Sequence, residues 1–306
     1  MNMNYVLETV SLTKAYRRHL AVDRVDMHVA EGTIYGLLGQ NGAGKSTLMK
    51  LITALARPSS GDIFLFGEKP KKENLCRVGS LIESPAFYHN LTARENLKLL
   101  TRIRGTHKNS DEAIGYALYS VGLEDNPKQV YGKFSLGMKQ RLGIAAAIIH
   151  DPDLLILDEP TNALDPVGIQ YFRELFLKLK KQGKTLIVAS HILSELERIV
   201  DTVGVMHGGK LIEEIDLQTL NRRRRRYVEI TVSDDGKAAM CLEQRFPNID
   251  FTVLTGNRIR IYNEFELRGK INTVFNRVGI SVTGITVDNE RLEDYFTEII
   301  GGAKFV

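Results

Sequence analysis

Apolar and polar positions alternate over residues 5–10 and again over residues 21–29, the period of strands with one buried face. Two later runs, residues 34–38 and 154–157, are apolar without interruption and predict strands buried on both faces, as parallel sheets require. A short strand at residues 63–66, a strand from Val78 toward Glu83 and a final strand at residues 185–190 complete the set. Between them the spacing turns helical over residues 46–55, 93–105, 111–121, 135–150 and 167–181. Thr92 with Glu95 three residues on marks one helix start. Strands alternating with helices predict an α/β fold.

Past this region the pattern shortens. Strands at 227–232, 251–254, 258–262 and 280–287 interleave with helices at 236–245, 264–278 and 292–300, with Thr255-Gly256-Asn257 as a hairpin turn. The order βαββαβ predicts a small α+β domain of split-βαβ type. No acids, histidines or cysteines cluster in it, so a regulatory or dimer-stabilising role is expected. Five consecutive arginines, Arg222 to Arg226, mark the change of pattern. Such a block reads as a solvated linker, or as a contact for anionic lipid headgroups or an acidic partner. The expected domains are residues 1–220 and 221–306.

Composition narrows the class. A chain of 306 residues allows about two domains. With 43% hydrophobic and 25% charged residues it is ordinary for a globular protein, and a net charge of +4 does not call for nucleic acid. Cys76 and Cys241 stand far apart in no metal-binding spacing. No basic-then-apolar signal segment begins the sequence, and no run of about 18 apolar residues occurs, so membrane work would need a partner.

Chemistry concentrates at Gly39-Gln40-Asn41-Gly42-Ala43-Gly44-Lys45-Ser46-Thr47, which fits the G-x-x-x-x-G-K-[ST] phosphate loop between a predicted strand and a predicted helix. Gly39, Asn41, Gly42 and Gly44 let the backbone curl so that several N–H groups meet phosphate oxygens ahead of a positive helix end. Lys45 would reach the β- and γ-phosphates, Ser46 would ligate Mg2+, and the Thr47 hydroxyl would meet the α-phosphate.

Other positions fall where ligands bind in an α/β sheet, at the carboxyl ends of strands. Asp158 and Glu159 end an apolar strand: Asp158 suits Mg2+, directly or through water, and Glu159 can polarise a water in line with the γ-phosphate. Glu83 ends another strand and could touch the metal shell. His191, after residues 185–190, reads as a γ-phosphate contact that orients the attacking water. Tyr16 is either a turn or core aromatic or a ring stacked on adenine. Ser135 is at least an N-cap. Its hydroxyl with the Gly137 amide could hold phosphate, at a distance from the phosphate loop that suggests it does not serve the same nucleotide on the same chain.

In this order the motifs resemble those of the ATP-binding subunits of ABC transporters over roughly residues 3–218. Gly39 to Thr47 resembles the Walker A loop, Leu154 to Glu159 the Walker B strand, and Phe134 to Met138 the LSGGQ signature. Asn162 to Asp165 resembles the D-loop, His191 the switch histidine, and Tyr16 the adenine-stacking aromatic. The resemblance implies a P-loop ABC ATPase domain with a mixed sheet core, an antiparallel β subdomain and a helical subdomain. It implies MgATP and a head-to-tail dimer with a second copy. Ser135 and Gly137 would then contact the γ-phosphate in trans, Asp165 would belong to the nucleotide-sensing loop and Glu159 would be the general base. A transmembrane permease would be the partner, with the chain peripheral at the cytoplasmic face of the membrane.

Two departures stand out. Leu136 and Met138 replace a glycine and the glutamine of LSGGQ, and Glu83 stands where most members carry glutamine. Glu83 together with Phe-Ser-Leu-Gly-Met-Lys-Gln-Arg resembles the bacitracin and lantibiotic branch, which exports or removes peptide antibiotics. A soluble ATPase acting on ribosomes or nucleic acid is the alternative. The sequence shows neither the paired ATP domains nor the long coiled coils that such proteins usually carry.

Overall fold

The computed structural model describes residues 4–83, 86–104, 110–123, 128–223 and 226–289. The chain divides into two compact units, one running to Gln218 and the other beginning at Thr219.

The first unit opens with a long hairpin, β1 (Tyr5–Tyr16) and β2 (His19–Ala30), paired antiparallel to its last residues, Tyr16 opposite His19. Both strands outrun the alternating stretches at 5–10 and 21–29. The reason is a set of register shifts between Thr9 and Ala15, with Ser11 at φ 46°, that breaks the period-two pattern without ending the pairing. Buried Thr9 ties the irregularity down: its Oγ1 donates to the Val25 carbonyl at 2.9 Å and accepts from Met27 N at 3.0 Å. With β4 (Ser60–Leu65) the hairpin makes a three-stranded sheet in the order β2-β1-β4.

β3 (Ile34–Leu38) is buried at every position and leads through the glycine-rich loop into α1 (Lys45–Ile52). This helix stops short of the expected residue 55: Thr53 caps it, with Oγ1 donating to Met49 O at 2.8 Å, and Ala54 turns to φ 58°. A short helix, α2 (Lys72–Leu75), precedes β5 (Val78–Leu81). The helical region follows as α3 (Ala93–Arg104), α4 (Ser110–Ser120) and α5 (Leu136–Ile148). The expected capping box forms at α3, where Thr92 N donates to Glu95 Oε2 at 2.8 Å and Glu95 N to Thr92 Oγ1 at 3.3 Å. The Thr92 N–H, and after it the Thr92 hydroxyl donating to the same Oε2 at 2.9 Å, hold the Glu95 carboxyl below its ordinary pKa.

The remaining elements are β6 (Leu154–Asp158), α6 (Pro166–Lys181), β7 (Thr185–Ser190) and the short α7 (Leu193–Leu196). β8 (Thr202–His207), β9 (Lys210–Asp216) and α8 (Leu217–Arg223) come after them. β7 is therefore not the final strand. It lies inside a six-stranded mixed sheet, β5-β6-β7-β3-β8-β9, whose neighbours are parallel except for β8 and β9. Gly208-Gly209, both at positive φ, is a two-residue hairpin turn that was readable in the sequence.

The main core fills the space between the two sheets and around α1. A polar contact joins the sheets across it. Glu214 Oε1 accepts from the Tyr35 hydroxyl at 2.8 Å and from His28 N at 2.9 Å. Burial, with the Glu214 carboxylate next, pushes the Tyr35 phenol well above its ordinary pKa, so it remains a donor.

The second unit contains β10 (Arg226–Val232), α9 (Asp235–Arg245), β11 (Phe251–Leu254), β12 (Arg258–Ile261), α10 (Arg268–Arg277) and β13 (Val282–Asn289). Its sheet runs β11-β12-β10-β13, antiparallel throughout, the split-βαβ arrangement. Val228, Ile230, Leu242, Ile259 and Phe275 form its core. The helix expected from residue 264 begins instead as a single 3-10 turn, Phe265–Leu267, because Glu264 sits at φ 51°. Of the arginine block, Arg222 and Arg223 end α8 and Arg226 starts β10. Positions 224 and 225, like the helix expected at 292–300, lie outside the described residues.

One histidine at the base of the helical region gives the fold a pH dependence. His150, just past α5, contacts the Arg104 guanidinium at the end of α3 and the Val78 carbonyl of β5, its Nε2 lying 2.7 Å and 3.2 Å from them. Burial, with the Arg104 charge second, pushes its imidazole down to about 4, so the folded ring is neutral. In an unfolded chain the ring protonates near about 6.5. The unfolded state thus binds the proton first, and this contribution to stability is whole above about pH 6.5 and drains away toward pH 4. The urea midpoint of the native chain is expected to fall between about pH 6.5 and 5, and His150→Gln to flatten that fall. Equal slopes in the two proteins would refute the assignment.

Candidate functional site

β6, β7 and β3 are consecutive parallel neighbours in the sheet, so their carboxyl ends lie along one edge. Each ends where the sequence places chemistry: Leu38 before the glycine loop, Asp158 before Glu159, Ser190 before His191. A cleft of about 600 Å³ opens there, lined by residues 40–47 together with Tyr16, Glu83, Asp158 and Glu159.

The loop from Gly39 is curled around its own lysine. Lys45 is 6% exposed, and its ammonium donates to the carbonyls of Gly39 at 2.6 Å and Gln40 at 3.3 Å. Gly44 makes the curl possible: it sits at φ 107°, and a Cβ there would lie 2.3 Å from the Ala21 carbonyl. Gly39 and Gly42 lie at the start and middle of the same loop, Asn41 lines the cleft, and Ser46 and Thr47 face it from the first turn of α1. No side chain caps that helix and its first turn holds no acid, so its positive end is left for an anion.

Opposite the loop are two carboxylates. Asp158 is 8% exposed and its Oδ1 has no hydrogen-bond partner. Glu159, at φ 48°, has one oxygen 2.9 Å from His191 Nδ1; the other lies 3.4 Å from Lys45 Nζ without a hydrogen bond. Buried carboxylate oxygens without donors are costly unless something else meets them. A hard divalent cation suits that donor set, and Ser46 lines the same cleft.

The other expected residues fall in three positions. Tyr16 ends β1 at the mouth of the cleft, 48% exposed, with Lys14 Nζ 4.9 Å from its ring centroid. Glu83 lines the cleft at φ 60°, and its carboxylate is paired with Lys50 of α1 at 2.5 Å, so metal ligation would require it to leave that partner. His191 does not itself line the cleft; it reaches the cleft through Glu159.

At the start of α5, Leu136 lines this cleft, while its neighbours Ser135 and Gly137 do not. Ser135 is the N-cap, its Oγ accepting from Met138 N at 3.2 Å. Asp165 caps α6, with Oδ1 accepting from Gly168 N at 2.9 Å. Two contacts escaped the sequence reading. Gln140 lines the cleft and donates to the Glu159 carbonyl at 3.1 Å. The Thr161 hydroxyl donates to Glu195 Oε2 at 2.6 Å, tying the turn after Glu159 to the helix after His191. The second pair is 34 residues apart and carries no local signal.

Residues 22–162 match the family model described as ABC transporter. The chain is 49% identical over 304 residues to the bacitracin transport ATP-binding protein BcrA of Bacillus licheniformis, covering 98% of this chain and 99% of that protein. It is 44% identical over 209 residues to the lantibiotic transport ATP-binding protein SrtF of Streptococcus pyogenes, covering 68% and 90%. Among solved structures, the ATP binding subunit of an ABC transporter superposes with a TM-score of 0.65 at 30% identity, covering 71% of this chain and 92% of that one.

The bare Asp158 oxygen gives the site a metal test. Asp158→Asn is expected to weaken binding of Mg2+–nucleotide by about 10- to 100-fold while leaving binding of the metal-free nucleotide nearly unchanged. Titrating a fluorescent ATP analogue with Mg2+ or with EDTA separates the two, and equal losses would remove Asp158 from the metal site.

Proposed function

The chain belongs to the ATP-binding subunits of ABC transporters, and we propose that it powers export of, or immunity to, a peptide antibiotic through a separate transmembrane permease. Its activity is ATP binding and hydrolysis. The observation that carries the reading is the convergence on one sheet edge of a buried lysine, two carboxylates with unbonded oxygens and a histidine. The bacitracin and lantibiotic names of the relatives support the substrate class. No helix among the described residues is long and apolar enough to cross a membrane, which fits a peripheral subunit at the cytoplasmic face. Nothing favours the ribosomal or nucleic-acid alternative.

In this reading the α1 N-terminus and the loop amides bind the triphosphate, and Lys45 turns from its own carbonyls toward the β- and γ-phosphates. Tyr16 offers a ring to adenine. Ser46 and Asp158, with Glu83 once released from Lys50, would hold Mg2+, which would supply positive charge against the phosphates. Glu159 takes the proton of the attacking water as general base. The His191 ring at 2.9 Å holds that carboxylate in place. The water oxygen bonds to the γ-phosphorus as the bond from that phosphorus to the β–γ bridging oxygen breaks, ADP leaves, and the proton taken by Glu159 is returned to the released phosphate.

Ser135 and Gly137, which flank the cleft-lining Leu136 at the start of α5 without lining the cleft themselves, suit contact with the nucleotide of a second copy bound head to tail. Asp165, at the start of α6, would set the loop facing that copy. The two copies close on ATP and part after hydrolysis, and the permease converts that cycle into transport.

Glu159→Gln is expected to lower ATP turnover by about 100- to 10,000-fold, with ATP binding retained and an ATP-bound dimer accumulating on a sizing column. Co-purification of the full chain from detergent-solubilised host membranes should recover a polytopic permease, and deleting the chain should sensitise cells to bacitracin-type peptides. Recovery of ribosomes without a membrane protein, or unchanged sensitivity, would overturn the transport reading.

A further inference from the structure

Glu159 owes its direction to its backbone. At φ 48° the residue is in the left-handed region, held by two main-chain bonds: Glu159 N donates to Ala189 O at 3.1 Å, and Asn162 N donates to Glu159 O at 3.2 Å. A third bond comes from elsewhere in the fold. Gln140 Nε2, on α5, donates to the same Glu159 carbonyl at 3.1 Å. The first turn of α5 also lies against the loop that follows: a Cβ on Gly137 would be 3.2 Å from the Ala163 carbonyl. The helix from the helical region therefore grips the catalytic turn at two points.

We infer that Gln140 is a positioning residue for ATP hydrolysis, acting through the main chain of Glu159 to aim its carboxylate at the attacking water. The inference rests on the reading of this cleft as a hydrolytic ATP site. Gln140 reaches the catalytic turn with an uncharged amide, so it adds no charge beside the carboxylate and does not take the proton itself. Ser135 and Gln140 are five residues apart, about 7.5 Å along a rigid helix. Whatever a second subunit's nucleotide does to the start of α5 is thereby passed to the carboxylate of this chain.

The test compares the full chain with Gln140→Leu, which keeps the bulk and removes the donor, and Gln140→Glu, which is isosteric and donates only when protonated. The wild type must bind a fluorescent ATP analogue and hydrolyse MgATP; failure there defeats the reading of the cleft rather than the role of Gln140. Given that activity, both variants should lose about tenfold in kcat at pH 8, with nucleotide Kd within twofold of wild type. On lowering the pH toward about 5, where a glutamate begins to protonate, Gln140→Glu should recover relative to wild type while Gln140→Leu does not. Unchanged kcat in both variants, a parallel loss of nucleotide binding, or equal pH profiles for the two would overturn the inference. If Gln140→Leu fails to fold, the pH profile of Gln140→Glu decides alone.

Discussion

A buried ammonium group cannot stand without partners, and the arrangement of the nucleotide site follows from how Lys45 finds them. At 6% exposure its charge is met by two carbonyls of the loop that carries it and by a carboxylate from the next motif. The loop must curl for its carbonyls to turn inward, the curl demands Gly44 at positive φ, and the same curl turns backbone N–H groups outward at the head of α1. Charge satisfaction within the protein thus prepares an anion site, because the contacts that hold Lys45 are of the kind a triphosphate replaces with stronger ones.

The carboxylate side has the opposite imbalance. Lys45 faces one oxygen of Glu159 and His191 the other, yet the Glu159 oxygen near lysine and the Asp158 Oδ1 make no hydrogen bond. A protein core carries few such atoms, and two in adjacent residues at one sheet edge mark a place shaped for a ligand that supplies positive charge. Glu83 adds a third carboxylate that is engaged elsewhere, on Lys50 of α1. Exchange of that partner for a metal would couple the state of the cleft to the segment after Glu83. A neutral glutamine would feel no such attraction to lysine.

Turns at the sheet edge are linked to one another by side chains from distant parts of the chain. Glu159 meets His191, Thr161 meets Glu195, and Gln140 meets the Glu159 carbonyl. These bonds join the catalytic turn to the helix after β7 on one side and to α5 on the other. The helical region is therefore joined by a hydrogen bond to the main chain of Glu159. The second unit has its own core and its own sheet, and its charged side chains pair locally, Glu229 with Arg258 and Arg260.

The phosphate loop, the buried strands and the two acids at the end of β6 were legible because each is a local pattern: glycines at fixed spacing before Lys45, an uninterrupted apolar run before Asp158. The split-βαβ order of the second unit was legible for the same reason. β8 and β9 were overlooked although the Gly208-Gly209 turn announced them, and β1 was read short because its bulges break the alternation. What the sequence did not contain was distance. That Glu83 rests on Lys50 and that Gln140 bonds to Glu159 depend on which strands lie side by side, whereas the caps made by Ser135 and Asp165 are local, three residues along the chain. Strand order is settled by burial of both sheet faces at once, a property of the whole chain that no single segment records.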